Sequence, residues 1–457
     1  MSTIWIESPD TKTWLKDRAT QDDDKYVRGT AVLALAQHFK GDPDAKTWLK
    51  DLATQDDQRY VRGAAVLALA DNFKDDPDTK TWLKDRATQD DNQYVRRAAV
   101  EVLAENFKDD PDTKTILKDR ATQDDHEDVR SAAVSALAQH FKDDPDTKTW
   151  LKDRATQDDD KYVQIVAVQA LAKNFPDDPD TKTFLKDRAT QDDHEYVQIV
   201  ALQALAKNFP DDPDTKTILK DRATQDDYEY VRGNAVSALA EKFKDDPDTK
   251  TILKDRATQD DYEYVRGNAV SALAEKFKDD PDTKTILKDR ATQDDNSYVR
   301  RAAVLALAKN FPDDPDTKTF LKDRATQDDN YYVRRAAVSA LAENFKDDPD
   351  TKTFLKDRAT QDDKSGVRGA AVQALGEKFP DDPQLFAIYY NCAVNDPFEG
   401  SHDRYKPNPR RVALEIIIKQ FPQHPDTLPL LRDRAENDAD EVVRGYAEKQ
   451  LREWENK

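Results

Sequence analysis

The sequence predicts an all-α fold, a right-handed α-solenoid of about thirteen helix pairs with a 34-residue period. The first observation is a proline that returns every 34 residues from Pro9 to Pro383. The second is the composition, in which 36% charged residues and only 10 glycines favour helices over sheets. The third is that apolar residues within each period recur at helical spacing. Because one helix pair cannot bury its two apolar stripes alone, neighbouring pairs must stack.

The period divides the chain into repeats, and the two that begin at Pro213 and Pro247 are identical over all 34 residues. After Pro383 the next matching Pro-Asp-Thr begins at Pro425, which indicates an eight-residue insertion in the twelfth repeat. We expect four parts: 1–8, a remnant of a preceding repeat or an N-terminal cap; 9–382, eleven gapless repeats; 383–424, a divergent repeat with an inserted loop; and 425–457, a C-terminal capping repeat.

The repeat from Pro213 shows how a helix pair arises. Asp212 is expected to cap the first helix, whose first turn holds Pro213 and whose apolar stripe includes Ile218. Either Asp226 or Asp227 is expected to cap the second helix. The apolar stripe of the second helix is predicted to contain Val231, Ala235, Val236, Leu239, Ala240 and Phe243.

The second helix opens Asp-x-x-x-Val-Arg-x-x-Ala-Val-x-Ala-Leu-Ala, from Asp227 to Ala240, and this pattern resembles the HEAT-like repeats of bacterial proteins. The recurrent Leu-Lys-Asp-Arg-Ala-Thr-Gln-Asp-Asp is similar to the C-terminal sensor half of bacterial NACHT-type signalling ATPases. That resemblance implies a sensor role. The chain has no Gly-x-x-x-x-Gly-Lys-Ser/Thr segment, so we expect no nucleotide to bind to it.

The composition argues against several classes of function. A net charge of -21 opposes nucleic-acid binding, and the single Cys392 provides neither a disulfide nor a thiolate cluster for a metal. No signal peptide and no membrane-length apolar run is found, so we expect a cytoplasmic protein that binds no membrane. The histidines are scattered and form no ligand motif; we expect no metal, no cofactor and no catalytic residue.

In a HEAT-like solenoid the second helices line a concave groove, and the residues predicted there differ from repeat to repeat. A tyrosine opens this face in nine of the eleven regular repeats, and Asp128 and Gly366 interrupt the series. These rings are either partner contacts, as amphipathic aromatics often are at interfaces, or packing across the neighbouring repeat. The tyrosines are Tyr26, Tyr60, Tyr94, Tyr162, Tyr196, Tyr230, Tyr264, Tyr298 and Tyr332.

The fifth and sixth repeats carry Gln-Ile-Val where most other repeats carry Arg-Gly or Arg-Arg. We expect an exposed apolar patch of Ile165, Val166, Ile199 and Val200, flanked by glutamines and tyrosines; the alternative is local repacking around a glutamine that replaces arginine. The next two repeats provide a polar continuation. The predicted partner-binding residues are Tyr162, Ile165, Val166, Gln169, Tyr196, Ile199, Val200, Gln203, Tyr228, Tyr230, Asn234, Ser237, Tyr262, Tyr264, Asn268 and Ser271.

The insertion in the twelfth repeat is a second candidate contact site, or else a terminal cap of the apolar stack. Its candidate residues are Phe398, His402, Arg404 and Tyr405. By contrast, the repeated arginine of Val-Arg, for example Arg232 or Arg266, is expected to pair with loop aspartates and to serve structure alone.

These features together predict a non-enzymatic scaffold that recognises a protein or peptide in the groove, in line with the sensor role that the NACHT resemblance implies. The alternative is a passive spacer, which the two identical repeats favour. A less favoured enzymatic alternative comes from the HEAT-like resemblance alone, because some such proteins are bilin lyases.

Overall fold

The computed structural model describes residues 9–38, 43–380, 382–398 and 408–455; these residues form α-helices joined by short connections and contain no β-strand. A short 3-10 helix, Pro383–Leu385, precedes α23. The helices are α1 (Pro9–Gln21), α2 (Lys25–His38), α3 (Pro43–Gln55), α4 (Arg59–Phe73), α5 (Pro77–Gln89), α6 (Gln93–Asn106), α7 (Pro111–Gln123), α8 (Glu127–His140), α9 (Thr147–Gln157), α10 (Lys161–Asn174), α11 (Pro179–Gln191), α12 (Glu195–Asn208), α13 (Pro213–Gln225), α14 (Glu229–Lys242), α15 (Pro247–Gln259), α16 (Glu263–Lys276), α17 (Pro281–Gln293), α18 (Ser297–Asn310), α19 (Pro315–Gln327), α20 (Tyr331–Asn344), α21 (Pro349–Gln361), α22 (Ser365–Lys378), α23 (Phe386–Asn395), α24 (Pro409–Gln420), α25 (Thr427–Asn437) and α26 (Glu441–Glu455).

The all-α architecture of paired helices with a 34-residue period is therefore confirmed. The first helix of the repeat from Pro213 begins as predicted. Asp212 accepts a hydrogen bond from the backbone N–H of Asp214 at 2.9 Å, with Pro213 in the first turn. The predicted apolar stripe is buried at Leu219 and Ala223, together with Thr215, whereas the predicted Ile218 is only half-buried.

The second helix buries most of the predicted stripe, since Val231, Val236 and Leu239 have no exposed surface, but Phe243 follows the end of α14 and is only half-buried. The prediction of its N-cap was wrong. The residue at that position in α14 is Tyr228, one residue beyond the Asp-Asp pair, and Asp226 instead accepts a hydrogen bond from the Tyr228 N–H at 2.9 Å. Asp226 therefore stabilises the turn between the two helices of the repeat. The residue type at the N-cap position, after the Asp-Asp pair, can differ from repeat to repeat.

Two compact units make up the chain, Met1–Ile218 (the N-terminal unit) and Leu219–Lys457 (the C-terminal unit). Inside each unit every second helix packs against its own first helix and against the second helices of adjacent repeats. The first helices of successive repeats contact each other much less. The second helices therefore form the more tightly packed side of each stack. In the described part of the chain, no helix is long and apolar enough to cross a membrane.

The predicted pairing of the repeated arginine with loop aspartates is confirmed. Arg232 donates from Nε and Nη2 to the two carboxylate oxygens of Asp260 in the next repeat, at 3.2 and 3.0 Å, and from Nη1 to the carbonyl of Asp226. The guanidinium thus satisfies a buried carboxylate and a loop carbonyl together, which is the condition for a buried ion pair to be tolerated.

Glutamine takes the place of this arginine in the fifth and sixth repeats. Gln164 and Gln198 each donate from Nε2 to a loop carbonyl of their own repeat, that of Asp158 at 2.6 Å and that of Asp192 at 2.5 Å. The amide thereby retains the contact with the loop carbonyl. An amide has no second pair of donors with which to bind a carboxylate as a guanidinium does.

A second series of ion pairs runs along the first helices. Lys254 Nζ lies 2.8 Å from Asp280 and 2.7 Å from Asp282, both at the start of the next first helix. Hydrogen bonds from Lys250 and Lys254 hold the pKa of the Asp280 carboxyl well below its usual range. Each repeat therefore presents its cap carboxylate to the lysines of the repeat before it.

Candidate functional site

The exposed residues of the first helices are nearly invariant within this sequence, whereas those of the second helices vary. In α15 the exposed residues Thr251, Asp255 and Gln259 recur at the same positions in every regular repeat. At the exposed position of Ser271 on the second helix, other repeats carry glutamate, glutamine, leucine or serine. A partner would meet nearly the same exposed residues at every first helix. The exposed residues that differ from repeat to repeat lie on the second helices.

The tyrosine series is both packed and exposed. Tyr264 lies against the preceding second helix, where a Cβ on Gly233 would be 2.5 Å from its Cε1 atom. Its ring centroid is 5.0 Å from that of Tyr230. Even so, Tyr230 exposes 41% of its surface and Tyr162 exposes 60%. The Tyr264 ring therefore covers its neighbour, while Tyr230 and Tyr162 retain exposed surface.

The predicted apolar patch of the fifth and sixth repeats is not fully exposed. Ile199 is 8% exposed and belongs to the core, so the expectation that it lies on an open surface was wrong. Ile165, Val166 and Val200 are half-buried. The β-branched side chains fill space between neighbouring second helices, and the flanking Gln169 and Gln203 lie at the exposed positions.

In the polar continuation, several side chains bond to their own helices. Asn234 Nδ2 donates to the carbonyl of Tyr230 at 2.8 Å, and Ser237 Oγ donates to the carbonyl of Gly233 at 3.0 Å. Ser271 Oγ donates to the carbonyl of Gly267 at 2.9 Å. The oxygen atoms of the two serine hydroxyls can still accept hydrogen bonds. Tyr228 and Tyr262 are exposed, and the guanidinium of Arg232 lies over the Tyr262 ring at 5.1 Å.

Of the second candidate site, His402, Arg404 and Tyr405 lie outside the described residues. Phe398 is half-buried, and its carbonyl accepts a hydrogen bond from Arg410 Nη1 at 2.9 Å. The same arginine pairs with Asp438 of the last repeat. This end of the insertion is therefore fastened to the arginine–aspartate series.

A cleft on the second-helix side of the N-terminal unit lies between α6, α8 and α10 and has a volume of about 700 Å³. We name it the acidic cleft. All of its lining residues belong to second helices: Arg97, Glu101, Ala104, Glu105, Glu127, Asp128, Ser131, Ala132, Ser135, Ala136, Gln139, His140, Tyr162 and Val166. Two of the predicted site residues, Tyr162 and Val166, are among them.

Two smaller clefts lie on the same side of the C-terminal unit. One, of about 350 Å³, lies between α16 and α18 and contains the predicted Ser271 together with Arg301 and Lys309. The other, of about 560 Å³, lies between α22 and α24. Neither is as acidic as the cleft of the N-terminal unit, because the first is lined by one carboxylate and two basic side chains and the second by two carboxylates and one lysine.

Sequence reasoning missed most of the acidic cleft, although one signal was available. The tyrosine series is interrupted at Asp128, and the cleft opens at this interruption. In the repeats around Tyr264 and Tyr298, the ring covers the preceding second helix at a glycine. Asp128 is too small to do so, and the surface of α6 and α8 is left open.

No group of three or more His, Cys, Asp or Glu side chains among the described residues is arranged to hold a metal ion. The single cysteine, Cys392, is buried, and its Sγ donates to the carbonyl of Pro409 at 3.5 Å. Burial raises the pKa of its thiol to about 12, which suppresses the reactive thiolate.

Comparison with known proteins adds three findings. The sequence matches the family model for HEAT repeats over residues 5–70, 81–172, 149–240, 182–274, 217–308, 252–342 and 285–376. A search of the curated proteins found no match. The fold is similar to that of Kap95p in a complex with RanGDP, at 14% identity and a TM-score of 0.53, covering 96% of this chain and 64% of that chain.

Two further solved structures are more distant in shape. YibA of Escherichia coli matches at 20% identity and a TM-score of 0.41, covering 62% of this chain and 95% of that chain. Kap121p bound to Nup53p matches at 15% identity and a TM-score of 0.49, covering 97% of this chain and 53% of that chain. This chain thus spans less than two thirds of the length of either Kap protein.

Proposed function

This chain belongs to the HEAT-repeat family, and from that premise we propose that it is a non-enzymatic scaffold that binds a protein or peptide along the exposed faces of its second helices. The observation that carries the proposal is that the clefts in both units open between second helices. These faces are also where the repeats differ from one another. A concave, locally distinct surface on a rigid stack is the usual form of a recognition site in repeat proteins.

The similarity to Kap95p, a protein that binds RanGDP, supports this proposal only through the shared fold. In a stack of helix pairs the backbone hydrogen bonds are satisfied inside each helix, so exposed side chains alone determine what binds. The described residues offer exposed tyrosines beside small alanine and serine side chains on this face. Tyrosine is enriched among the residues that dominate binding energy at interfaces.

A photo-crosslinking experiment tests which face is used. We would place a photoreactive phenylalanine analogue at Ser135 or Ser271, on second helices, and at Thr115 or Thr251 as matched controls on first helices; all four positions are exposed. In lysate of the source cell, we expect a discrete crosslinked protein from the serine positions and none from the threonine positions. Equal crosslinking from both faces, or crosslinking from the first helices alone, would contradict the proposal.

The passive spacer is the second candidate, and the identity of the two repeats 213–246 and 247–280 favours it. A spacer needs no repeat whose surface differs from the others. Duplication of an identical repeat would lengthen such a chain without loss of function. The same crosslinking experiment separates the two candidates, because a spacer gives no discrete product from any of the four positions.

The sensor role within a NACHT-type protein remains a finer proposal that rests on the Leu-Lys-Asp-Arg-Ala-Thr-Gln-Asp-Asp repeats. Under it, the second-helix face would receive the stimulus and a separate ATPase region would respond. Identification of the sequence that flanks this chain in its gene tests the proposal, since a sensor requires a nucleotide-binding motif on the same or a partner polypeptide.

A further inference from the structure

We propose that the acidic cleft binds a peptide segment that carries lysine or arginine side chains, an assignment that rests on the proposed function and gives it a partner chemistry. The cleft combines three properties: a floor of small side chains, walls of carboxylates and a volume of about 700 Å³. That volume lies within the range of clefts that hold a small ligand or a few side chains.

The missing tyrosine creates the space. In the eighth repeat Tyr264 covers α14 at Gly233, and in the ninth Tyr298 covers α16 at Gly267. In the fourth repeat Asp128 stands at the equivalent position, opposite Arg97 of α6. Beside the shorter side chain, the half-buried Ala132 and the buried Ala136 form the floor of the cleft.

The walls carry an excess of negative charge. Glu101, Glu105, Glu127 and Asp128 line the cleft, and the one guanidinium among the lining residues is that of Arg97. Arg97 Nε donates to Glu101 Oε1 at 2.9 Å, and this hydrogen bond, with a smaller contribution from Asp128, raises the pKa of Arg97. Four carboxylates and one guanidinium leave three negative charges facing the cleft.

Glu127 and Asp128 lie at the start of α8, where both are half-buried and line the cleft. The Nδ1 atom of His126 accepts a hydrogen bond from the backbone N–H of Asp128 at 3.2 Å as the cap of α8, and Glu127 Oε2 lies 3.4 Å from the same nitrogen.

A lysine or arginine side chain fits this combination. Its aliphatic stem packs on Ala132, Ala136 and Val166, while the charged end reaches the carboxylates. The ring of Tyr162, at the edge of the cleft, already lies 5.6 Å from Nζ of its neighbour Lys161, so it contributes apolar surface to the cleft and no further cation–π contact. An acidic peptide or a nucleic acid would be repelled by the same three charges.

The test is fluorescence anisotropy with a short labelled peptide of alternating lysine and alanine, beside matched peptides with glutamine or glutamate for lysine. We expect the lysine peptide alone to bind, with an affinity that falls as salt is added. The double variant Glu127→Gln and Asp128→Asn should weaken binding at least about tenfold, since two charge-assisted contacts are lost. Ser135→Lys, which leaves the α8 cap untouched, should weaken it similarly.

The matched control is Glu263→Gln with Glu275→Gln, which removes the same two charges from the C-terminal unit. It should leave binding unchanged, and circular dichroism should show the same helicity for all variants. Equal loss of affinity in the control, or unchanged affinity in the cleft variants, would overturn the assignment. Crosslinking from Ser135 that persists in the Glu127→Gln, Asp128→Asn variant would show that the second-helix face binds a partner by other chemistry. No crosslinking from any second helix would remove the proposed function itself.

Discussion

Arg300 donates hydrogen bonds from Nε and Nη2 to the two carboxylate oxygens of Asp328, each at 2.9 Å, across the boundary between two repeats. Both residues are buried. Nη1 of the same guanidinium donates to the carbonyl of Asp294 in its own repeat at 3.0 Å. One side chain thus joins the loop of its own repeat to the loop of the next.

Removing this arginine should destabilise its surroundings. In Arg300→Ala the Asp328 carboxylate stays buried without its bidentate partner, and we expect the local free energy of opening to fall by about 3 kcal/mol. Hydrogen exchange of α18 and α19, followed by mass spectrometry, measures the change. The neighbouring exposed Arg301→Ala is the control, and exchange that is equally fast in both variants would refute the structural role of the buried pair.

Two glycine substitutions should have opposite effects. A Cβ on Gly63 meets no atom closer than a backbone oxygen at 3.9 Å, so Gly63→Ala should stabilise α4 by up to about 1 kcal/mol through helix propensity. A Cβ on Gly267 would lie 2.5 Å from Tyr298 Cε1, so Gly267→Ala must displace the ring and should lose that gain.

Thermal unfolding of the two glycine variants measures the difference. Adding Tyr298→Ala to Gly267→Ala should abolish the clash, so that the alanine at 267 becomes favourable in that background. A Gly267→Ala variant that is stabilised as much as Gly63→Ala would contradict the packed position of the ring.

Two acidic substitutions separate folding from binding in the fifth and sixth repeats. Ile199→Asp buries a carboxylate at a position that is 8% exposed, and we expect a loss of several kcal/mol in unfolding free energy. Val166→Asp, at a half-buried position on the edge of the acidic cleft, should cost far less. Urea denaturation distinguishes them, and similar midpoints would contradict the burial of Ile199.

Low pH should reduce the stability that the ion pairs between first-helix lysines and cap aspartates contribute. Hydrogen bonds from Lys80 and Lys84 depress the pKa of Asp110 below its ordinary value of 3.8. A carboxyl whose folded pKa is depressed stabilises the fold above the unfolded pKa, and this contribution is lost as the pH falls below about 4. Asp110→Asn keeps a capping side chain but should remove that part of the pH dependence.

Hydrogen exchange of α7 between pH 6 and pH 3 checks the effect. The adjacent exposed Asp109→Asn serves as the control and should keep the wild-type pH dependence. If both variants respond to acid as the wild type does, the Lys80–Asp110–Lys84 cluster makes no contribution to stability.

The lone cysteine should report opening of the C-terminal repeats. Cys392 is buried, and its thiol has a pKa of about 12. At pH 8 the ionised fraction of that thiol is therefore only on the order of 10⁻⁴. Iodoacetamide should therefore label it only at the rate at which α23 and α24 separate. A Ser135→Cys, Cys392→Ser variant provides an exposed thiol for comparison, and equally fast labelling would contradict the packing around Cys392.

The helices could be predicted well from the periodicity, because the same spacing of apolar residues, prolines and aspartates recurs in every regular repeat. Leu239 and Arg232 lie where their spacing placed them. The burial of Ile199 could not be predicted in this way. A single-helix pattern shows which residues share a face, but it does not show how closely a neighbouring helix packs against that face. The acidic cleft was missed for a related reason: it results from a side chain that is absent at Asp128, and the contacts of a missing ring are visible only when neighbouring repeats are seen together.

Because Gln164 replaces an arginine, the contacts between successive repeats of the N-terminal unit are not all alike. The joint between the fourth and fifth repeats carries the Arg130–Asp158 pair, whereas at the joint between the fifth and sixth repeats Gln164 bonds to the carbonyl of Asp158 in its own repeat, and Asp192 keeps Arg188 of its own helix at 3.1 Å. Under tension applied along the stack, we expect this joint to yield before the arginine-bearing joint that precedes it. A pulled molecule would then lengthen first beside the acidic cleft, so that mechanical load and occupancy of the cleft would act on the same stretch of chain.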